Sequence, residues 1–371
     1  MRYTVTELRE FSKNFTEELL QASKGAQNSL LFAKNSLPKV NFVQQNQEFQ
    51  VIMIGGSHLE SATARINQNK VLLTEFYQYD IPKLTTKEMF LQTVSKAVNP
   101  ETKLICINFA FPIRPIFREK KLDGVLLRGP KGHDFEGLIG LEVGLEVEKY
   151  ILENLKQKVD IILANDTVAL GLATKEFNDF TWENSVVGIV GTGTNFGIFE
   201  SQDTFINIES GNFNKFKQSE SGKIIDLESS NALHQWFEKE VGGEYLVKHF
   251  NLDAKLDGLD FELESSKELG NILEDIKHPC QHIVADIFSR SSQLIAAQIY
   301  GIWEYKNLNS RLQEGQKLML LMEGSLYWKG FEYSQKVDFY LKQLGLTPQN
   351  YEIRFLENMG LKGISRLGYL D

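Results

Sequence analysis

The residues of this chain that could do chemistry gather at the ends of apolar runs. The run 161–164 leads directly into Asn165-Asp166-Thr167. A carboxylate at the end of a buried strand stands where open α/β sheets bind ligands. Asn and Asp are also favoured helix N-caps, a role compatible with the first. A second apolar run ends in Gly191-Thr192-Gly193-Thr194-Asn195. Its glycines let backbone N–H groups approach an anion, and Thr192 and Thr194 add hydroxyl donors. A tight hairpin turn has the same appearance in sequence. Gly55-Gly56-Ser57 after 49–54 and Gly324-Ser325 after 318–322 repeat the form. Three such turns suit a nucleotide, whose phosphates and nucleoside need several backbone approaches.

Other groups are less distinctive. Glu209 and Glu238 fall near element ends or on an apolar-rich helix, although glutamates usually face solvent. Lys131 sits in Gly-Pro-Lys-Gly-His, where a lysine is ordinarily solvated. No His, including His133 and His234, has metal-site spacing, so no structural metal is expected. Cys106 and Cys280 stand far apart, as buried packing thiols do in a reducing compartment. A net charge of -9 argues against a nucleic-acid or anionic-membrane partner. The first twenty residues lack a signal-peptide core, and no apolar run reaches bilayer length. The expectation is a soluble cytoplasmic protein. The sequence carries no signal of oligomeric state.

The elements that must position these groups are those of an α/β protein. Helical periodicity covers 3–33, with Val5, Leu8, Phe11, Phe15, Leu19 and Leu20 on one face. Strands are expected at 49–54, 70–79 and 104–111, with a helix over 86–98. A second series has strands at 186–190, 195–200, 204–209 and 318–322. Long helices are expected over 231–250 and 281–305, and loops over 215–230 and 253–266. Each series opens with a strand that ends in a glycine turn, which suggests two lobes. The 371 residues suffice for both cores, and no solenoid repeat is visible.

Several segments resemble the hexokinase family, in order and through most of the chain. Phe-Ala-Phe-Pro at 109–112 is similar to the family's FSFP sugar loop, and 124–133 to its GILLxWTKGF loop. Leu-Ala-Asn-Asp-Thr-Val-Ala at 163–169 resembles the VNDTVG segment. Gly-Thr-Gly-Thr-Asn at 191–195 resembles the second phosphate loop, and Ile-Asn-Ile-Glu-Ser-Gly at 206–211 the NMEWG strand. The longest match runs from Asp226 through 231–246, against D..S.NPG.Q.(F/Y)EK..GG.YL. Met-Glu-Gly-Ser-Leu-Tyr at 322–327 resembles VDGSLY.

The resemblance implies a two-lobed actin-like ATPase (ribonuclease H-like) fold with a deep interdomain cleft. Residues 49–165 and 354–371 would form the small lobe, and 1–48 and 166–353 the large one. It implies a cytoplasmic enzyme that uses ATP and Mg²⁺ to phosphorylate a hexose, glucose first, at the 6-hydroxyl. Asp166 would be the general base and Lys131 would stabilise the transferring phosphoryl group. Lys131, Asn165, Asp166, Asn195, Glu209 and Glu238 would hold the sugar. Gly191, Thr192, Gly243, Gly324 and Ser325 would contact ATP, with Gly55, Gly56 and Ser57 near its phosphates. Positional and electrostatic chemistry of this kind suffices for phosphoryl transfer.

The chain departs from the family at the first phosphate loop. LDLGGTNFR is Met-Ile-Gly-Gly-Ser-His-Leu-Glu at 53–60, so the aspartate that helps place Mg²⁺ is Met53. The following arginine is absent in register, although Arg65 is nearby, and Glu60 is a candidate substitute for the aspartate. Ala110 and Gly129-Pro130 remove two hydroxyl contacts to sugar, and 357–363 keeps only part of DGSGKG. Two alternatives follow: a weakly active or inactive sugar-binding regulatory protein, or a kinase for another small acceptor such as an amino sugar.

Overall fold

In the computed structural model, residues 2–129, 132–309 and 311–369 are described. One sheet has five strands: β2 (Phe49–Ile54), β3 (His58–Asn67), β4 (Lys70–Asp80), β5 (Leu104–Phe109) and β8 (Asp160–Asn165), in the order β4-β3-β2-β5-β8. A hairpin of β6 (Ile113–Arg118) and β7 (Lys121–Leu126) stands apart from it. The second sheet contains β1 (Ala33–Ser36), β9 (Ser185–Val190), β10 (Thr194–Ser201), β11 (Thr204–Asn207), β12 (Leu318–Glu323) and β13 (Tyr351–Arg354). Its order is β1-β11-β10-β9-β12-β13. Counted within each series, and with β1 set aside, both sheets read third-second-first-fourth-fifth. The duplication inferred from the glycine turns is therefore a duplication of topology.

The helices are α1 (Val5–Ser23), α2 (Lys87–Ser95), α3 (Val143–Leu155), α4 (Asp166–Ala173), α5 (Glu220–Glu228) and α6 (Trp236–Val241), followed by α7 (Gly243–Leu256), α8 (Glu268–Glu274), α9 (Gln281–Leu308), α10 (Ser325–Lys329), α11 (Tyr333–Leu344) and α12 (Met359–Ser365). The chain divides into two compact units. One holds Met1–Phe32, Glu183–Gly197 and Ile208–Phe355; the other holds Ala33–Trp182, Ile198–Asn207 and Leu356–Asp371. The second unit runs past residue 165 because α4 packs on α12, where a Cβ on Gly363 would overlap the carbonyl of Ala169.

Several expected elements change. The first helix stops at Ser23, with Lys24 as its C-cap and Gly25 at φ +87°. Leu8, Phe11, Phe15 and Leu19 are its buried face, whereas Val5 is exposed. Burying such side chains contributes about 1.5–3 kcal/mol each. Phe11 meets Phe213 edge-on at 4.9 Å, which fixes the helix within its unit. β3 escaped notice because Ser61, Ala62, Thr63 and Ala64 blur its alternation. The 215–230 loop contains α5, whose Ser219 cap accepts a bond from Gly222 N. The 231–250 helix is broken, since Gly242 is extended (φ −67°, ψ 140°) between α6 and α7. α7 then continues through Leu256, into the segment expected to be loop.

Among the described residues no helix is long and apolar enough to cross a membrane. Cys106 and Cys280 are both buried and unbridged, and burial raises the pKa of each thiol.

Candidate active site

In the unit that carries the five-stranded sheet, β8 delivers the chain to α4. Asn165 is the N-cap, its Oδ1 accepting from Thr167 N at 3.0 Å. Asn207 Nδ2 donates to the same oxygen at 3.3 Å. The cap role open for Asp166 thus belongs to its neighbour. Asp166 occupies the first turn of α4, where the helix field favours negative charge. Its Oδ1 accepts from Thr167 N at 2.8 Å and Thr167 Oγ1 at 3.3 Å. Its Oδ2 has no partner among the described residues. One oxygen is fixed and the other is available, as a proton acceptor requires.

The Phe109-Ala110-Phe111 segment closes β5, where Ala110 N donates to Ile54 O at 3.0 Å. Phe111 packs edge-on against Phe135 at 4.9 Å and His133 at 5.3 Å. His133 was considered only as a metal ligand, but it has a definite structural task. Its Nδ1 accepts from Leu84 N at 2.8 Å, so the ring proton is on Nε2 and is donated to Gly56 O at 2.8 Å. The imidazole therefore ties the 124–133 loop to the Gly55-Gly56-Ser57 turn. Within that turn Gly55 N bonds His58 O at 2.9 Å. Lys131, the expected phosphoryl-stabilising lysine, lies outside the described residues, as does Pro130.

In the other unit, three turns converge. Gly191 N bonds Gly193 O at 2.9 Å, and Gly191 O accepts from Gly243 N at 2.8 Å. Thr192 O accepts from Glu244 N at 3.0 Å. A Cβ on Gly243 would sit 2.6 Å from Gly191 O, and one on Gly191 would sit 3.3 Å from Gly324 Cα. Gly324 has φ +112°, and a Cβ there would overlap the Val190 carbonyl. Gly191, Thr192, Gly243, Gly324 and Ser325 therefore form one backbone cradle, compact because side chains are missing where strands meet. Such a surface suits the approach of a nucleotide's phosphates.

Beside this cradle stand the expected sugar groups. Glu238, in the first turn of α6, accepts from Thr194 N at 3.1 Å and Gln235 Nε2 at 2.7 Å. Asn195 Oδ1 accepts from Phe196 N at 2.8 Å and Ser210 N at 3.1 Å. Glu209, adjacent to Ser210, has a left-handed backbone (φ 55°), which ends β11 early. Such a conformation is uncommon for a non-glycine residue and concentrates at functional positions.

The 226–246 signature also has an internal support. Asp226 Oδ1 meets Lys239 Nζ at 2.6 Å, with both side chains buried. Lys239 Nζ also bonds Asn231 O at 3.0 Å, and both Asp226 oxygens accept from Leu233 N at 3.1 Å. This knot fixes the loop that leads into Gln235 and Glu238. Sequence reasoning treated Asp226 only as the start of a motif, although an Asp and a Lys in one apolar-flanked segment are a signal for a buried pair.

No family model matches the chain. It is 26% identical to hexokinase-5 of Oryza sativa subsp. japonica over 356 residues, covering 75% of this chain and 69% of that one. It is 23% identical to hexokinase-2 of Solanum tuberosum, covering 79% and 70%. Its structure superposes on the hexokinase from Schistosoma mansoni complexed with glucose with a TM-score of 0.81, at 18% identity, over 99% of this chain and 95% of that one. The chain is similar to hexokinases over most of its length. The hexokinase-type, actin-like ATPase fold expected from the motifs is the fold observed. The motif residues of each unit fall beside one another as local groups.

Proposed function

We propose that the protein is an ATP-dependent hexose 6-kinase, with glucose the first substrate to test. The reading is carried by Asp166: one oxygen is anchored by Thr167 and the other has no partner among the described residues. Asp166 takes the proton of the sugar's 6-hydroxyl as that oxygen bonds to the γ-phosphorus. The bond from the γ-phosphorus to the β–γ bridging oxygen breaks, and ADP leaves. Asn165, Asn195, Glu209 and Glu238 suit the remaining hydroxyls, each of which can donate and accept. Lys131 is the proposed cation for the transferring phosphoryl group. The three-turn cradle receives ATP, and Gly55, Gly56 and Ser57 approach its phosphates.

Mg²⁺ supplies charge neutralisation of the phosphates when bound. Among the described residues no group of three or more His, Cys, Asp or Glu side chains could hold a metal. The deciding experiment is ADP release with ATP-Mg²⁺ over a hexose panel, run beside Asp166→Ala. A general base contributes about 10²–10⁴-fold, so the variant's turnover should fall to background. Hexose-independent rates, or an Asp166→Ala rate equal to wild type, would remove the reading.

Met53, which replaces the expected aspartate, motivates a second reading: a sugar-binding regulator with little catalysis. In that case hexose binds by calorimetry while ADP release stays at background in the wild type as well.

A further inference from the structure

At eleven residues, β4 is the longest sheet edge among the described residues. The other edge of its sheet, β8, packs against β7 and is tied to it by Lys121 Nζ and Asp160 Oδ1 at 2.9 Å. In the six-stranded sheet the edges β1 and β13 have four residues each. Glu176 covers the start of β4, its carboxylate accepting from Val71 N at 3.2 Å and its carbonyl from Lys70 Nζ. From Phe76 to Asp80 every side chain is exposed, with Phe76, Tyr77 and Tyr79 at 51%, 57% and 44%. No Lys, Arg or Pro occurs in 71–81, although these residues usually guard an open edge. A bulge sets Glu75 and Phe76 against Ala62, with Glu75 at φ 53°, and so leaves 76–80 as a separate short strand edge.

The backbone of this edge is self-complementary. Ile81 N donates to Ser57 O at 2.9 Å. Opposed residues of an antiparallel pair alternate between bonded and non-bonded. Tyr79 and Tyr77 therefore form the bonded pairs with Leu59 and Ser61, whereas Gln78, opposite Glu60, and Asp80, opposite His58, turn their N–H and C=O groups outward. By the same alternation Phe76 turns outward. We propose that two copies of this chain associate through Phe76–Asp80, antiparallel about a twofold axis at Gln78, joining their five-stranded sheets into one. Gln78 then meets its own counterpart and Phe76 meets Asp80 of the second copy, each pair exchanging both backbone bonds. Tyr77 faces the second copy's Tyr79 on either side of the axis, as an aromatic cross-strand pair. No like charges oppose each other, because Asp80 is held by His58 Nδ1 at 2.8 Å and Glu75 accepts from Thr63 Oγ1 at 2.7 Å. Half-exposed aromatic rings retain about 100 Å² each. Six of them, with the paired backbones, approach about 1,000 Å², the lower end for a specific contact. The contact lies within one unit and does not depend on the kinase reading.

The test is sedimentation equilibrium of the full chain between about 1 and 500 μM, where a contact this small should give a reversible dimer with a Kd on the order of 10–100 μM. Gln78→Lys sets two ammonium groups against each other at the axis and should weaken association about tenfold or more. Its melting temperature should match wild type, since the side chain is exposed. Gln78→Cys tests the register. Cα atoms of a bonded pair lie about 5.5 Å apart, inside the span of about 4.4–6.8 Å that a disulfide bridges, so mild oxidation should give a covalent dimer. Leu72→Cys, on the same strand but outside the paired stretch, should give none, and the native Cys106 and Cys280 are buried. A chain that stays monomeric throughout the range overturns the proposal and leaves this edge to a strand of different sequence. A dimer that Gln78→Lys leaves intact overturns it as well, because the contact then lies on another face. Equal cross-linking by Leu72→Cys and Gln78→Cys would refute the register.

Discussion

Replacing Lys239 with methionine should unsettle the sugar side of the site without touching a ligand. The substitution removes the ammonium that meets Asp226 Oδ1 at 2.6 Å. It leaves a carboxylate that is 3% exposed with the Leu233 N–H as its remaining hydrogen-bond partner. Removing one member of a buried pair costs about 3–5 kcal/mol. The lost bond to Asn231 O places Lys239→Met in the upper part of that range. Unfolding entropies of about 2.1 cal/mol/K per residue convert this to a fall in Tm of about 5–10 °C, according to whether the chain or one unit melts. Because the pair anchors the segment leading to Gln235 and Glu238, hexose KM should rise about tenfold with kcat little changed. Calorimetry measures the first effect and a coupled ADP assay the second. Asp226→Asn combined with Lys239→Met removes both charges and keeps an acceptor for Leu233 N, so much of the lost stability should return. A single variant that loses under 1 °C, or a double variant no better than the single, would refute the anchoring role.

Three further outcomes are expected. His133→Ala leaves Leu84 N and Gly56 O without their imidazole partner; stability should fall by about 1–3 kcal/mol, and hydrogen exchange at the Leu84 amide should accelerate. Gly324→Ala sets a Cβ against the Val190 carbonyl at φ +112°; about 1–3 kcal/mol of strain should appear in a urea titration, with ATP affinity by calorimetry lost more steeply than hexose affinity. Lys306 is buried, and desolvation, with Arg311 adding and Glu183 opposing, lowers its pKa to about 7. The unfolded chain then holds more protons than the folded one between pH 7 and roughly 10, so Lys306 makes stability rise with pH across that window. Urea midpoints at several pH values should show a flatter slope in Lys306→Met, and identical slopes would exclude the effect.

Much of this fold was legible because its signals were apolar and local. β2 and β9 were found to the residue or nearly so, since continuous buried strands end abruptly at glycine. α5 was missed because its polar surface hides a helix that is held by Ser221, Gly222, Ile225 and Asp226. The break at Gly242 was missed for another reason. Its cause is the approach of the Gly191 and Thr192 carbonyls, which come from a distant part of the chain. His133 was undervalued likewise, because its partners Leu84 and Gly56 are far away in sequence. Local pattern finds elements; it does not find what a turn must accommodate.

The kept and lost motif residues differ in what the fold demands of them. Gly193 and Gly211 face Glu238, Gly243 faces Gly191, Gly324 faces Val190, and Asp226 holds Lys239. Change at any of these would cost packing, so their retention is required by folding whether or not the protein turns over substrate. Met53 and Ala110 are different: an aspartate or serine there would add a polar group with no packing duty. The evidence for catalysis must therefore come from groups that packing does not need. Asp166 Oδ2 is such a group, without a partner among the described residues.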